Sequence, residues 1–335
     1  MLKVGIVGCG QMGELHAIHL QHKVQGASLS AIMDTSPDRL QSITNACGAC
    51  RTFTVADALI QDPDVDAIVI ASPDHTHAEL ALSCLAAGKP LLCEKPLATT
   101  QVDAKRILNA EMALGRRLLQ VGFMREYDES HLLLKDALST PELGHRLMFR
   151  SRAVNPAKDA ERPVDEVVTN SAIHDFHTAR WLMGDEIERV YVQHVPYHPD
   201  RPETCRLMNI SLSFAGGALG SILINSECGF GHEVEVEVIT ERGQVNIGDP
   251  VDPVVRHGNH QSRAIHPTWR ERFEAAYLTE ISAWVSAASA GSPTGPSTWD
   301  GFCSLVVSDA AKQSARTGQS ELVPQTDKPA LYAST

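Results

Sequence analysis

The sequence has no excess of positive charge: 29 Lys and Arg stand against 41 Asp and Glu, a net charge of −12. Nucleic acid and anionic membrane both require a basic face, so neither is expected as a partner. No run approaches the roughly 18 apolar residues that cross a bilayer. The opening stretch Met1–Gly10 enters an aliphatic strand directly, without the basic, apolar and cleavage regions of a signal peptide. The cytoplasm is the expected compartment. Nor is there a disulfide framework. Of the eight cysteines, Cys9, Cys84 and Cys93 lie in apolar runs and the others are scattered. Only Cys47 and Cys50 have a suggestive spacing. That motif follows a helical segment and has no second pair, so a turn is expected there, with neither metal nor redox use. Internal repeats and long linkers are missing too. What remains is an ordinary globular composition, 43% hydrophobic and 21% charged, in 335 residues. That length exceeds one usual core and predicts two domains.

What is present begins with a rhythm. Aliphatic runs at Leu2–Val7, Ser28–Met33, Ala67–Ile70, Pro90–Cys93 and Leu118–Val121 alternate with helical patterns. Those patterns are Met12–Gln21, Pro37–Ala46, Val55–Gln61, His75–Ala87 and Thr100–Leu114. Such alternation predicts a parallel sheet covered on both faces, and right-handed crossovers make it doubly wound. After about residue 122 the rhythm changes. Longer strand candidates follow at Arg146–Arg152, Glu188–Val195, Arg206–Phe214, Ala218–Asn225 and Glu233–Ile239. The Glu/Val alternation from Glu233 to Val238 marks a sheet with one wet and one buried face. Helices are expected near Ser130–Leu138, Asp175–Met183, Arg270–Ala288 and Trp299–Arg316, with a polar stretch at Asn155–Asp165. The predicted fold class is α/β: a doubly wound Rossmann domain at 1–122, then an α+β domain at 123–335. The second domain is built on a large, mostly antiparallel open sheet.

Gly8, Gly10 and Gly13 form G-x-G-x-x-G between the first strand and the first helix. In that context each glycine has a task. Gly8 permits the tight turn, Gly10 lets backbone approach a pyrophosphate, and Gly13 lets helix pack on strand. An acidic protein can still bind an anionic dinucleotide, because helix N-terminal amides supply the field. Asp34 ends the second strand, 21 residues past Gly13. Its carboxylate suits the adenosine ribose and repels a 2′-phosphate, and no arginine follows immediately, so NAD is predicted over NADP. Lys95, in Cys93-Glu94-Lys95-Pro96, leaves a strand at the sheet edge where ligands bind. From the residues alone it reads equally as a cleft lysine or a surface-loop lysine.

Together, the glycine motif, Ala71-Ser72-Pro73 with His77, and Glu94-Lys95-Pro96 resemble the Gfo/Idh/MocA oxidoreductases. Within that family the chain is most similar to inositol 2-dehydrogenases. Val121–Asp128, Thr169–His174, Arg270–Phe273 and Thr294–Gly301 extend the likeness over nearly the whole chain. The resemblance implies an enzyme of class EC 1.1.1 that oxidises a secondary alcohol of a polyol or sugar. It also implies a homo-oligomer, a tetramer, with the open sheet often forming the interface. Further cofactor contacts are implied for Gln11, Met12, Ser72, Pro73, His77, Glu94 and Lys95. Substrate contacts are implied for Lys95, Met124, Arg125, Asn155, Asn170, His174, Phe230 and His232.

By motif matching Lys95 and His174 take the family's Lys and His positions, and Asn170 stands where the family has Asp. A histidine with an unperturbed pKa near 6.5 suits the task of accepting the hydroxyl proton. Lys95 would stabilise the developing alkoxide. An amide at 170 can orient His174 but adds no charge, and Asp165 or Asp175 are candidate substitutes. A buried helix-start histidine is the blander reading of His174. A metal on His174 and His177 lacks further ligands and is not expected. Ala153 replaces a pocket histidine of the inositol group, and Cys228–His232 replaces its tyrosines. The expected substrate is therefore another cyclic polyol, a sugar or a glycoside. The alternatives are myo-inositol itself and a catalytically impaired NAD-binding regulator.

Overall fold

The computed structural model describes residues 1–48, 50–157, 160–247, 254–291 and 293–333. Ala49, inside the Cys47–Cys50 spacing, and part of the polar stretch at 155–165 lie outside them. By its internal contacts the chain forms two compact units: residues 1–126, 276–305 and 327–335, and residues 127–275 and 306–326.

The first unit holds a six-stranded, all-parallel sheet in the order β3-β2-β1-β4-β5-β6. Its strands are β1 (Leu2–Val7), β2 (Ala27–Met33), β3 (Arg51–Phe53), β4 (Ala67–Ile70), β5 (Leu91–Glu94) and β6 (Leu119–Gly122). Between them run α1 (Gln11–His22), α2 (Pro37–Cys47), α3 (Ala56–Ile60), α4 (His77–Ala86) and α5 (Gln101–Leu114). The strands are Val-, Ile- and Leu-rich because both faces are covered, and β4 is buried at every position. Strand order reverses beside β1, so the crevice between the ends of β1 and β4 is the ligand-binding switch point of this topology. Ser36 and Thr100 cap α2 and α5 by accepting from the Arg39 and Asp103 amides.

Part of the core comes from far along the chain. Ile281, Trp284, Val285 and Ala288 pack in one apolar cluster with Val4, Ile6, Leu20 and Ile32. A buried carboxylate secures this return. Glu111 accepts hydrogen bonds from the Leu118 and Leu119 amides, from Thr298 Oγ1 and from the Tyr332 hydroxyl, at 2.6–2.7 Å. Glu111→Leu would orphan four buried donors, so unfolding free energy is expected to fall by about 3 kcal/mol or more. The urea midpoint checks this.

The second unit holds a seven-stranded mixed sheet in the order β12-β11-β7-β10-β9-β8-β15. Its strands are β7 (Arg146–Pro156), β8 (Ile187–Val195), β9 (Leu207–Phe214), β10 (Leu219–Cys228), β11 (Glu233–Thr240), β12 (Gln244–Ile247) and β15 (Glu321–Leu322). Among the described residues only β7 and β10 pair in parallel. The two-residue period of β11 holds: Val234, Val236 and Val238 are buried. On the other face Glu237 pairs with Arg150 at 2.8 Å and Glu235 with Arg152 at 2.9 Å. Helices α6 (Glu129–Ala137), α7 (Val164–Val167) and α8 (Ile173–Met183) belong to this unit, as does the exposed hairpin β13 (Val255–His257) and β14 (His260–Ser262). The closing helices are α9 (Trp269–Ala290) and α10 (Thr298–Thr317).

Candidate active site

The glycine loop meets the demands set by its sequence. Gly8 has φ +97°, and a Cβ there would lie 2.6 Å from Ala71 and Ser72 backbone. A Cβ on Gly13 would fall 1.8 Å from the Gly8 carbonyl oxygen. Gly10 faces open space: beyond its chain neighbours, no atom of the described residues lies within 4 Å of where its Cβ would be. Gly10 also begins α1 without a side-chain cap. A helix start of this kind suits a phosphate, and beside it Gln11 is exposed and Met12 half-buried. Asp34 is buried beside this loop, accepting from the Cys9 amide and from the Ser36 amide, both at 2.8 Å. The residues fit a dinucleotide: an uncapped helix start, a clear approach at Gly10 and a fixed carboxylate for the ribose.

Arg39 adds a cation that lies outside the motif around Asp34. One turn into α2, its guanidinium lies 3.8 Å from Asp34 Oδ2 and is largely exposed. The charge at this edge of the site is therefore divided between an anion and a cation.

Two further loops leave the same edge of the sheet. Ser72 and Pro73 follow β4, with Ser72 Oγ 2.6 Å from Thr76 Oγ1. His77 is buried, and its ring nitrogens face the Pro96 carbonyl at 2.7 Å and the Ser72 carbonyl at 2.9 Å. It ties the loop after β4 to the loop after β5, which shapes the site through backbone. Glu94 ends β5, buried against His16, and Lys95 follows it, half-buried, before a cis bond to Pro96. Beyond β6, Met124 and Arg125 are both buried.

The second unit gathers the other candidates. Asn170 sits half-buried in a π-helical turn, Val168–Ala172, between α7 and α8. Such turns are rare and re-aim side chains, often at functional positions. His174 lies in the first turn of α8 and is 8% exposed. Its carbonyl accepts from Thr178 Oγ1 at 2.7 Å. Of the two candidate substitutes for the missing carboxylate, Asp175 is fully buried and accepts from Ser151 Oγ. Asp165 is exposed and engaged by Arg316 at 2.6 Å. Asn155 is half-buried near the end of β7, while Ala153 is buried. Because β11 begins with Glu233 opposite Val154, His232 enters that strand beside Asn155. His232 is buried and stacks edge-on against Phe273, whereas Phe230 is half exposed.

A buried ionic group stands behind His232. Arg272 lies 4.4 Å over the Phe273 ring and donates to Asp128 at 2.7 Å. Asp128 also pairs with His131 Nδ1 at 2.6 Å. Burial opposes ionisation of Asp128, but the hydrogen bonds and charges of His131 and Arg272 outweigh it and hold the carboxyl well below its usual range. Sequence gives no cue to this trio, because Asp128 and Arg272 lie 144 residues apart.

Among the described residues, no three His, Cys, Asp or Glu side chains cluster as metal ligands. Burial pushes the Cys47 and Cys50 thiols up, and pushes Cys9 up to about 12 with help from the Asp34 charge. Thiolate chemistry is disfavoured at all three.

Residues 2–123 match the Gfo/Idh/MocA oxidoreductase family's NAD-binding Rossmann fold, and residues 136–323 match its C-terminal alpha/beta domain. An inositol 2-dehydrogenase from Rubrobacter xylanophilus is 42% identical over 333 residues, covering 99% of this chain and 96% of that one. Inositol 2-dehydrogenase 2 from Saccharopolyspora erythraea is 36% identical, covering 99% and 98%. Among solved structures, myo-inositol dehydrogenase from Lactobacillus casei, in complex with NAD(H) and myo-inositol, superposes with a TM-score of 0.94. It shares 28% identity, with 99% of each chain covered. The chain belongs to the Gfo/Idh/MocA family and is an NAD-dependent oxidoreductase acting on CH–OH groups.

Proposed function

We propose that the enzyme oxidises a ring secondary alcohol of a cyclic polyol, sugar or glycoside, with Lys95 and His174 as its catalytic residues. One observation carries the reading: Lys95 leaves β5 at the same sheet edge as the uncapped glycine loop. The bound nicotinamide supplies the hydride acceptor. Lys95, as an ammonium, donates to the alcohol oxygen and stabilises the alkoxide. His174 accepts the hydroxyl proton, and Asn170 orients it by hydrogen bonding. Arg125 and Met124, with Asn155, Phe230 and His232, are assigned to substrate recognition. In this reading residues 1–122 hold NAD, and 123–335 supply substrate binding and oligomerisation. A cytoplasmic homotetramer completes the proposal. Among the described residues no helix is long and apolar enough to cross a membrane.

A second reading, myo-inositol as the true substrate, is favoured by the 42% identity to the Rubrobacter inositol 2-dehydrogenase. Ala153 and Phe230 favour the broader class, because fewer polar groups are then offered to the six hydroxyls of an inositol. A panel of inositols, hexoses and glycosides, followed by NADH absorbance, decides between them. Turnover of a sugar or glycoside above myo-inositol is expected. Activity confined to myo-inositol would reverse the order. NAD binding without turnover anywhere in the panel would instead support a regulatory protein.

A further inference from the structure

The first unit buries an acidic cluster whose pairing with a histidine no step of the proposed reaction uses. Glu94 Oε1 lies 2.8 Å from His16 Nε2, and both side chains are at least nine-tenths buried. His16 sits on α1, six residues past Gly10. Gly122 makes room for the carboxylate. It pairs with Glu94 across β5 and β6, and a Cβ on it would come within 3.0 Å of Glu94 Oε2. Tyr277 packs edge-on against the His16 ring, with centroids 6.2 Å apart.

One turn along α9, Glu280 is fully buried, and neither of its carboxyl oxygens has a hydrogen-bond partner among the described residues. Burial, then the charges of Glu94 and Glu126, push this carboxyl far above the usual range. A buried, paired carboxylate is a poor source of net stability, since desolvation offsets most of the attraction. The pair's value lies in what it fixes.

We propose that the Glu94–His16 pair is a positioning device for Lys95, tying the residue before it to the helix that starts at the cofactor loop. The inference rests on the role given to Lys95 above. A lysine on a strand-end loop has four rotatable side-chain bonds, and its reach to an alkoxide depends on where its backbone is anchored. Errors near 1 Å in such placement cost about 100-fold in rate. Glu94 supplies the anchor from one peptide bond away, and His16 makes that anchor continuous with α1. His16 and Glu94 are positioning residues; neither is assigned a contact with substrate.

The test compares His16→Leu with His16→Gln, which keeps a donor for Glu94, by hydrogen-exchange mass spectrometry on the full chain without cofactor. In His16→Leu the peptide covering residues 92–98 should exchange about tenfold faster. His16→Gln should restore most of the protection, and peptides from β4 should not change. Turnover of the panel's fastest alcohol should fall about 10- to 100-fold in His16→Leu. KM and the NADH dissociation constant should stay within about threefold. Unchanged exchange at 92–98, a kcat within threefold of wild type, or a loss carried by NADH affinity alone would each overturn the inference. If His16→Leu does not fold, His16→Met, close in size to His16→Gln but without a donor, makes the same comparison. Lys95→Met is run alongside. If it keeps wild-type turnover, the role of Lys95 fails; if it is inactive while His16→Leu is not, only the positioning fails.

Discussion

His174→Ala is expected to lower kcat by about 10²- to 10⁴-fold, the usual contribution of a positioned general base. NADH affinity should not change, because the glycine loop and Asp34 that fit the cofactor belong to the other compact unit. The expectation rests on the first turn of α8. His174 is nearly buried there and follows a π-helical turn that carries Asn170. Asn170 gives the experiment a second arm. A carboxylate beside an imidazole favours the protonated ring and raises its pKa. Asn170→Asp should therefore move the acid limb of the pH–rate profile upward while retaining turnover. A His174→Ala enzyme within tenfold of wild type would remove His174 from the chemistry.

Asp34→Ser is expected to lower kcat/KM for NAD by about 100-fold and to raise it for NADP enough to reverse the preference. Two effects combine. The variant loses an acceptor for the ribose hydroxyls, and hydrogen bonds to a charged group are worth about 1.5–3 kcal/mol. It also releases the exposed guanidinium of Arg39, 3.8 Å from the carboxylate, to face a 2′-phosphate. Arg39→Ala in the same background should abolish the NADP gain. Initial rates with both cofactors measure all three enzymes. Loss of NAD use without any NADP gain would mean that Arg39 does not reach the 2′ position.

Five strands of the first sheet were legible because each of their signals is local; the three-residue edge strand β3 was not among them. An aliphatic run, a glycine loop and an amphipathic helix each declare themselves within a dozen residues, and predicted strand ends lie within one or two residues of the observed ones. The Glu/Val alternation of β11 was readable for the same reason. The return of 276–305 and 327–335 to the first unit was not. Trp284 looks like any helical core residue until it is found beside Ile6 and Ile32. The strands β12 and β15 and the hairpin β13–β14 are two to four residues long, too short to show a period. The π-helical turn before His174 adds no residue pattern that sets it apart from a continuous helix. At the site, single residues with motif neighbours were proposed: the glycines, Asp34, Lys95 and His174. Those defined by a distant partner were not. His16 becomes visible only beside Glu94, and Arg272 only beside Asp128. Arg39 does carry a local signal, a cation in the first turn of the helix that follows Asp34.

The central claim is that hydride passes from a ring CH–OH carbon to the nicotinamide while the protein removes the hydroxyl proton. The panel's fastest alcohol, deuterated at the carbon it oxidises, tests this in a single turnover. Deuterium is expected at C4 of the reduced nicotinamide, with NADH formation slowed by a primary isotope effect. Reduced cofactor free of deuterium would contradict the account.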